Sequence, residues 1–140
     1  MEHRFIIHGE PEGKARPRVT SHGTYTPRQT RDYERLVRWE YKTQGGPDFG
    51  RRPLSVTIVA RFPIPKKATK RDRAKMLAGY MVPTKKPDAD NIAKAVCDAL
   101  NGIAYQDDAQ IVNLVVRKNY TSADPCVYVY LVEWEELLDV

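Results

Sequence analysis

Leu54 to Phe62 alternates with period two: Leu54, Val56, Ile58, Ala60 and Phe62 fall on one side, Ser55, Thr57 and Arg61 on the other. Successive side chains of a strand point to opposite faces, so this pattern predicts a half-buried strand. Pro63 and Pro65 end it. Two other stretches repeat apolar residues at helical spacing. From Gln29 to Thr43 these are Tyr33, Leu36, Val37, Trp39 and Tyr41, and Gln44-Gly45-Gly46-Pro47 stops the helix. From Asp88 to Leu100 they are Ile92, Ala95, Val96, Ala99 and Leu100, with the end near Asn101-Gly102. Residues 3–8 read as a first strand. Ile111 to Lys118 and Cys126 to Trp134 read as two more, joined by the turn-like Thr121 to Pro125, and their closeness suggests an antiparallel pair. Thr69 to Tyr80 predicts a short helix with one strongly basic side. Gly9 to Arg28, interrupted by prolines and by Gly13 and Gly23, reads as a loop or irregular hairpin. The sum is a small α+β domain over residues 1–140, with a mixed sheet of about four strands and two to three helices.

Composition narrows the class. With 140 residues and 41% hydrophobic content, the chain is one globular domain's worth, able to bury a core without covalent staples. No apolar run reaches the roughly 18–20 residues of a spanning helix, so no membrane is expected. Met1 to Gly9 is too short and too polar for a signal peptide, which makes the cytoplasm the expected location. Cys97 and Cys126 lie far apart in apolar stretches and read as buried free thiols. His3, His8 and His22 lack ligand spacing.

Charge changes the picture more. The net charge of +5 is unevenly distributed: Lys14 to Lys86 holds nineteen Lys/Arg against five Asp/Glu, whereas ten acids face three bases from Asp88 onward. A basic half followed by an acidic cluster is the pattern of a phosphate-binding surface around a metal site.

The chemistry concentrates in Lys85-Lys86-Pro87-Asp88-Ala89-Asp90-Asn91-Ile92-Ala93-Lys94, then Asp98-Ala99-Leu100, then Tyr105-Gln106-Asp107-Asp108-Ala109-Gln110. Asp88 and Asp90 fall at a helix start, where exposed N–H groups and the positive end of the dipole tolerate negative charge. Asp90, Asn91, Lys94 and Asp98 share a polar stripe, related by steps of three and four. Asp107 and Asp108 precede the Ile111 strand. Carboxylates gathered this way repel, and a divalent cation with oxygen ligands removes the conflict. Such an ion can lower the pKa of a bound water and stabilise phosphate charge. Lys94, one turn after Asp90, is placed to offset developing charge or hold the attacking water. Each element also has a plain structural explanation: a helix cap for Asp88 or Asp90, a turn for Asp107-Asp108, a surface ion pair for Asp90 and Lys94. Only their conjunction points to a site. No EF-hand loop, Walker loop, GxGxxG or GxSxG motif is present.

At these residues the chain resembles the RusA family of Holliday-junction resolvases. The likeness rests on Pro87-Asp88-Ala89-Asp90-Asn91, Lys94, Asp98-Ala99-Leu100 and Asp107-Asp108-Ala109-Gln110. It implies a RusA-like fold and an endodeoxyribonuclease that resolves four-way junctions in recombination and repair. It further implies magnesium, or manganese in its place, held by Asp88, Asp90 and Asp108. Lys94 falls on the family's essential lysine, and Asp107 and Asn91 are supporting. Gly13-Lys14-Ala15-Arg16-Pro17-Arg18 resembles the basic motif of the family's phage-type branch, implying a phage or prophage setting. Lys14, Arg16 and Arg18 are then expected at the DNA backbone, joined by Lys66, Lys67, Lys70 and Arg71. A homodimer is implied as well, matching the two-fold character of a junction. Two other functions fit the residues alone: a non-catalytic basic DNA-binding protein, and a metal nuclease acting on flaps, other branched nucleic acid or RNA.

Overall fold

The computed structural model describes residues 1–135. Its main sheet has four strands in the order β1-β6-β4-β5: β1 is Glu2–His8, β4 Leu54–Pro63, β5 Ile111–Thr121 and β6 Cys126–Glu133. A small hairpin of β2 (Arg18–Thr20) and β3 (Gly23–Tyr25) stands apart. Among the described residues, α1 (Arg28–Thr43), α2 (Lys70–Leu77) and α3 (Ala89–Ala99) join these strands in a mixed α+β domain. No described helix is long and apolar enough to cross a membrane.

The alternation of β4 becomes its burial. Leu54, Val56, Ile58, Ala60 and Phe62 all lie in the core, and Ser55 on the other face is buried too, its hydroxyl accepting from Asn113 Nδ2 at 2.8 Å. This strand is central: it pairs antiparallel with β6 and parallel with β5. The expected antiparallel pair of β5 and β6 is therefore corrected, since β4 runs between them. The turn over residues 122–125 crosses the end of β4, where Pro63 cannot continue a ladder on its N–H side and Pro65 directs the chain away. β5 and β6 are consecutive in sequence without being neighbours in the sheet.

Helices α1 and α3 pack against each other, α1 also on β1 and α3 on β5. The apolar stripe of α3 behaves as its spacing requires: Ile92, Ala95, Val96, Ala99 and Leu100 are all buried. Removing a side chain such as Ile92 from so closed a position costs about 2–5 kcal/mol. In α1, Tyr33, Val37 and Tyr41 are buried and Leu36 packs against the core, but Trp39 is 60% exposed. Trp39 lies two residues from both Val37 and Tyr41, which on a helix is nearly the opposite face. The helix ends at Gln44, followed by Gly45 at φ 79° and by Gly46, where any Cβ would collide with the Tyr41 ring. Cys97 is buried and Cys126 half-buried, both as free thiols.

Candidate active site

Asp88 occupies the cap position of α3 with an extended backbone (φ −70°, ψ 153°), and its carbonyl accepts from Ile92 N at 3.0 Å. Its side chain makes no capping hydrogen bond. The structural explanation for an acid here is thus not used: the carboxylate stays exposed, as does that of Asp90 in the first turn. Both still gain from the positive helix end. They line a cleft with Asn91, Lys86, Lys14, Arg16 and Arg18. Acidic groups at a helix start therefore look out among the bases that precede them in sequence.

The far wall of this cleft is the loop between β1 and β2. Lys14 N donates to the Asn91 carbonyl at 3.0 Å, fastening the loop onto α3. Gly13 permits the approach: a Cβ there would lie 2.9 Å from Pro87 Cβ and 3.1 Å from Asn91 Cβ. Lys14 then turns its ammonium inward. Nζ is 2.8 Å from Asp98 Oδ2 and 3.1 Å from Glu34 Oε1, tying α3 to α1. Burial pulls the Lys14 pKa down, but the bonds and charges of Asp98 and Glu34 outweigh it and hold the pKa above the ordinary lysine value. The ammonium is therefore charged at neutral pH.

Asp108 begins a short 3-10 turn, Asp108–Gln110, directly ahead of β5. Asp107 caps that turn, accepting from Ala109 N at 3.1 Å, and Gln110 Oε1 returns the bond from Asp107 N at 3.1 Å. Gln110 Nε2 also donates to the carbonyls of Gly50 and Arg52 at 2.9 and 2.7 Å. Asp108 N is held by Asn101 Oδ1 at 2.8 Å. Below, the Tyr105 hydroxyl donates to the Cys97 carbonyl at 2.6 Å. The turn is thereby fixed at both ends, and it brings the half-buried Asp108 carboxyl close to Asp98. Burial pushes the Asp108 pKa up, and the neighbouring charges of Asp98 and Asp107 push it further.

Asp98 therefore belongs to the acidic group, although its sequence position marks it only as a member of the α3 polar stripe and of the family motif, with no ligand role. The stripe runs from Asp90 through the exposed Lys94 to Asp98, about 12 Å along the axis at 1.5 Å per residue. Asp88 and Asp90 thus stand at one end of α3, while Asp98 and Asp108 meet near the other. Among the described residues, no group of three or more His, Cys, Asp or Glu is spaced to enclose a metal ion. The donors are nevertheless of the right chemistry for a hard divalent cation. Magnesium is usually held by one or two carboxylates, with water and phosphate oxygens completing its shell, and adjoining carboxyls such as Asp98 and Asp108 are relieved by such a charge.

Of the other expected DNA contacts, Lys66, Lys67, Lys70 and Arg71 are exposed. They lie at and just before the start of α2, whose first turn is capped by Thr69. Lys118 Nζ bonds the Lys85 carbonyl at 2.6 Å, anchoring the segment that leads into Asp88. Arg16 and Arg18 are exposed at the cleft, unlike Lys14.

The family model described as Endodeoxyribonuclease RusA matches residues 8–131. A protein of Bacillus subtilis (strain 168), "Uncharacterized protein YqaN", is 33% identical over 139 residues, covering 93% of this chain and 95% of that protein.

Proposed function

The chain belongs to the RusA family of endodeoxyribonucleases, and from that premise we propose that it resolves Holliday junctions by hydrolysing DNA phosphodiester bonds with the help of magnesium, for which manganese can substitute. The observation that carries this reading is the shared cleft, in which the uncapped Asp88 and Asp90 open beside Lys86, Arg16 and Arg18. Bases draw in a phosphate backbone, and acids among them need a cation before that backbone can come close.

In this reading Asp88 and Asp90, at the first turn of α3, and Asp108, beside Asp98 further along, would be the ligands, and an ion shared by all three requires the Asp108 turn and the start of α3 to draw together around it. When bound, the ion activates a water and stabilises charge on the phosphate. The residues of the chain do the rest. Arg16 and Arg18 hold the backbone by charge-assisted hydrogen bonds. Lys94, exposed midway along the stripe, neutralises charge that builds on the phosphate oxygens. Asp107 and Gln110 keep Asp108 in place through the capped turn. Contacts at Lys66, Lys67, Lys70 and Arg71 position a DNA arm while carrying little sequence information.

A homodimer completes the proposal. A two-fold pair offers two equivalent sites to a four-way substrate. Its support is the sheet edge: β5 is an eleven-residue outer strand that exposes Val112 (56%) and Leu114 (46%), an edge of the kind a second chain covers.

The test is cleavage of labelled four-way junctions, flaps, linear duplex and RNA, with and without magnesium. The expected result is paired nicking of the four-way substrate in preference to the others, only with the ion. Junction binding without cleavage in any divalent ion would assign the chain to non-catalytic binding. Preference for flaps or RNA would assign a different nuclease substrate.

A further inference from the structure

Lys14 stands in the most basic motif of the chain, where a lysine is naturally read as a phosphate ligand. The contacts say otherwise. Its ammonium bridges Asp98 and Glu34 at 2.8 and 3.1 Å, and its side chain is only 20% exposed. Asp98 and Glu34 are themselves 22% and 16% exposed, so the three charges lie against one another under partial cover. The backbone of the same residue is pinned to Asn91 of α3, and Gly13 fits between Pro87 and Asn91 with no room for a side chain. Loop and ammonium therefore grip α3 at two points, near its first turn and near its last.

We propose that Lys14 is a positioning residue: it fixes the carboxyl of Asp98, which in turn sets the place of Asp108, and it does not bind DNA phosphate. The proposal rests on the reading of Asp108 as part of the nuclease site. Oδ2 of Asp98 is engaged by Lys14 at 2.8 Å, which fixes the rotamer of the side chain that stands beside Asp108. Without the ammonium, Asp98 faces Glu34 with no cation between them, and among the described residues Glu34 keeps only Arg38 at 3.9 Å. Asp98 then rotates toward solvent and Asp108 loses the partner that orients it. Arg16 and Arg18, exposed in the same motif, remain the phosphate ligands. The motif thus divides its labour, with one cation turned inward to order the acids and two turned outward to the backbone.

Lys14→Met, Lys14→Arg and Arg16→Met separate these roles. Junction affinity measured against salt concentration reports phosphate contacts, each adding about 0.9 to the slope of log affinity on log salt. Lys14→Met is expected to keep the wild-type slope and affinity, while single-turnover cleavage, measured well below its melting temperature, falls at least tenfold. Lys14→Arg is expected to recover most of that rate, because a guanidinium also bridges two carboxylates. Arg16→Met should do the reverse, lowering slope and affinity. A reduced slope in Lys14→Met would overturn the proposal in favour of phosphate binding. An unchanged cleavage rate would overturn it in favour of a purely structural ion pair. A thermal double-mutant cycle between Lys14→Met and Asp98→Asn gives a second decision that needs no activity: additive losses would sink the proposed link, and strong coupling supports it. Absence of cleavage by the wild-type chain would count against the nuclease reading itself, leaving the salt slope and the cycle to decide the role of Lys14.

Discussion

Asp98, near the end of α3, stands beside Asp108, ten residues later in the chain, close enough for its charge to raise the Asp108 pKa. Two acids held close together by a capped turn and a helix raise the energy of the folded state unless a cation or a proton intervenes. If the proposed site takes up magnesium, the ion should raise the melting temperature, because a ligand of the folded site and not of the open chain stabilises the fold. At a concentration one hundred times its dissociation constant the gain is about 2.7 kcal/mol, several degrees for a domain of this size. Asp108→Asn should blunt the rise, and thermal melts with and without magnesium would reveal an unchanged rise if the ion binds elsewhere.

Asp88 and Asp90 are exposed acids facing bases across a cleft. Asp88→Asn and Asp90→Asn are expected to abolish cleavage, by at least a hundredfold, and to leave junction binding intact or tighter. Removing a negative charge near phosphate lessens repulsion. Gel-shift titration alongside a cleavage assay checks this. Weaker binding in either variant would mean that the carboxylate contacts DNA through something other than an ion.

Gly13 is small for a steric reason. Its backbone is not in the left-handed region, but an added methyl would press on Pro87 and Asn91 at the start of α3. Gly13→Ala is expected to destabilise by about 1–3 kcal/mol, the usual cost of overpacking. It should also lower cleavage more than junction affinity, since the shift is transmitted to Asp88. Denaturant unfolding gives the first quantity, and wild-type stability in the variant would mean the loop simply moves aside.

His8 Nδ1 lies 2.5 Å from Glu40 Oε2, and the His8 backbone N–H reaches the same oxygen at 2.9 Å. Burial alone would push the Glu40 pKa up, but these bonds outweigh it and leave it below the ordinary glutamate value of 4.5. A carboxylate lowered on folding contributes stability above its unfolded pKa and loses it as pH falls through the folded one. Glu40→Gln should therefore cost stability at neutral pH, by about 1–3 kcal/mol for a buried group left with poorer partners. It should also flatten the decline of stability below pH 4.5. Urea melts across pH 3–7 test the slope, and an equally steep acid decline in the variant would assign it to other carboxylates.

Much of this was legible in the residues themselves. β4 and α3 carry strong periods, and every apolar residue those periods select is buried, with Ser55 of β4 and Ala93 and Cys97 of α3 buried besides. The order of strands did not follow, because pairing is decided by which edge is free and not by nearness in sequence; β4 claims both β5 and β6. Trp39 is apolar but two residues from Val37 and Tyr41, so composition alone suggests core where helix geometry turns it outward. The family motif contains Asp98, yet helical spacing sets it eight residues from Asp90, and only the fold of the Asp108 turn brings a second carboxyl to it. Lys14 was legible as a charge but not as a direction, for its partners Glu34 and Asp98 lie far away in sequence.

The most direct measurement is anomalous diffraction from crystals soaked in manganese, which locates the ion against individual carboxylates. The account predicts density beside Asp108 and shared with Asp88 or Asp90, and its loss in Asp108→Asn crystals. Manganese bound only at sites remote from Asp108, or density there unaffected by the substitution, would contradict it.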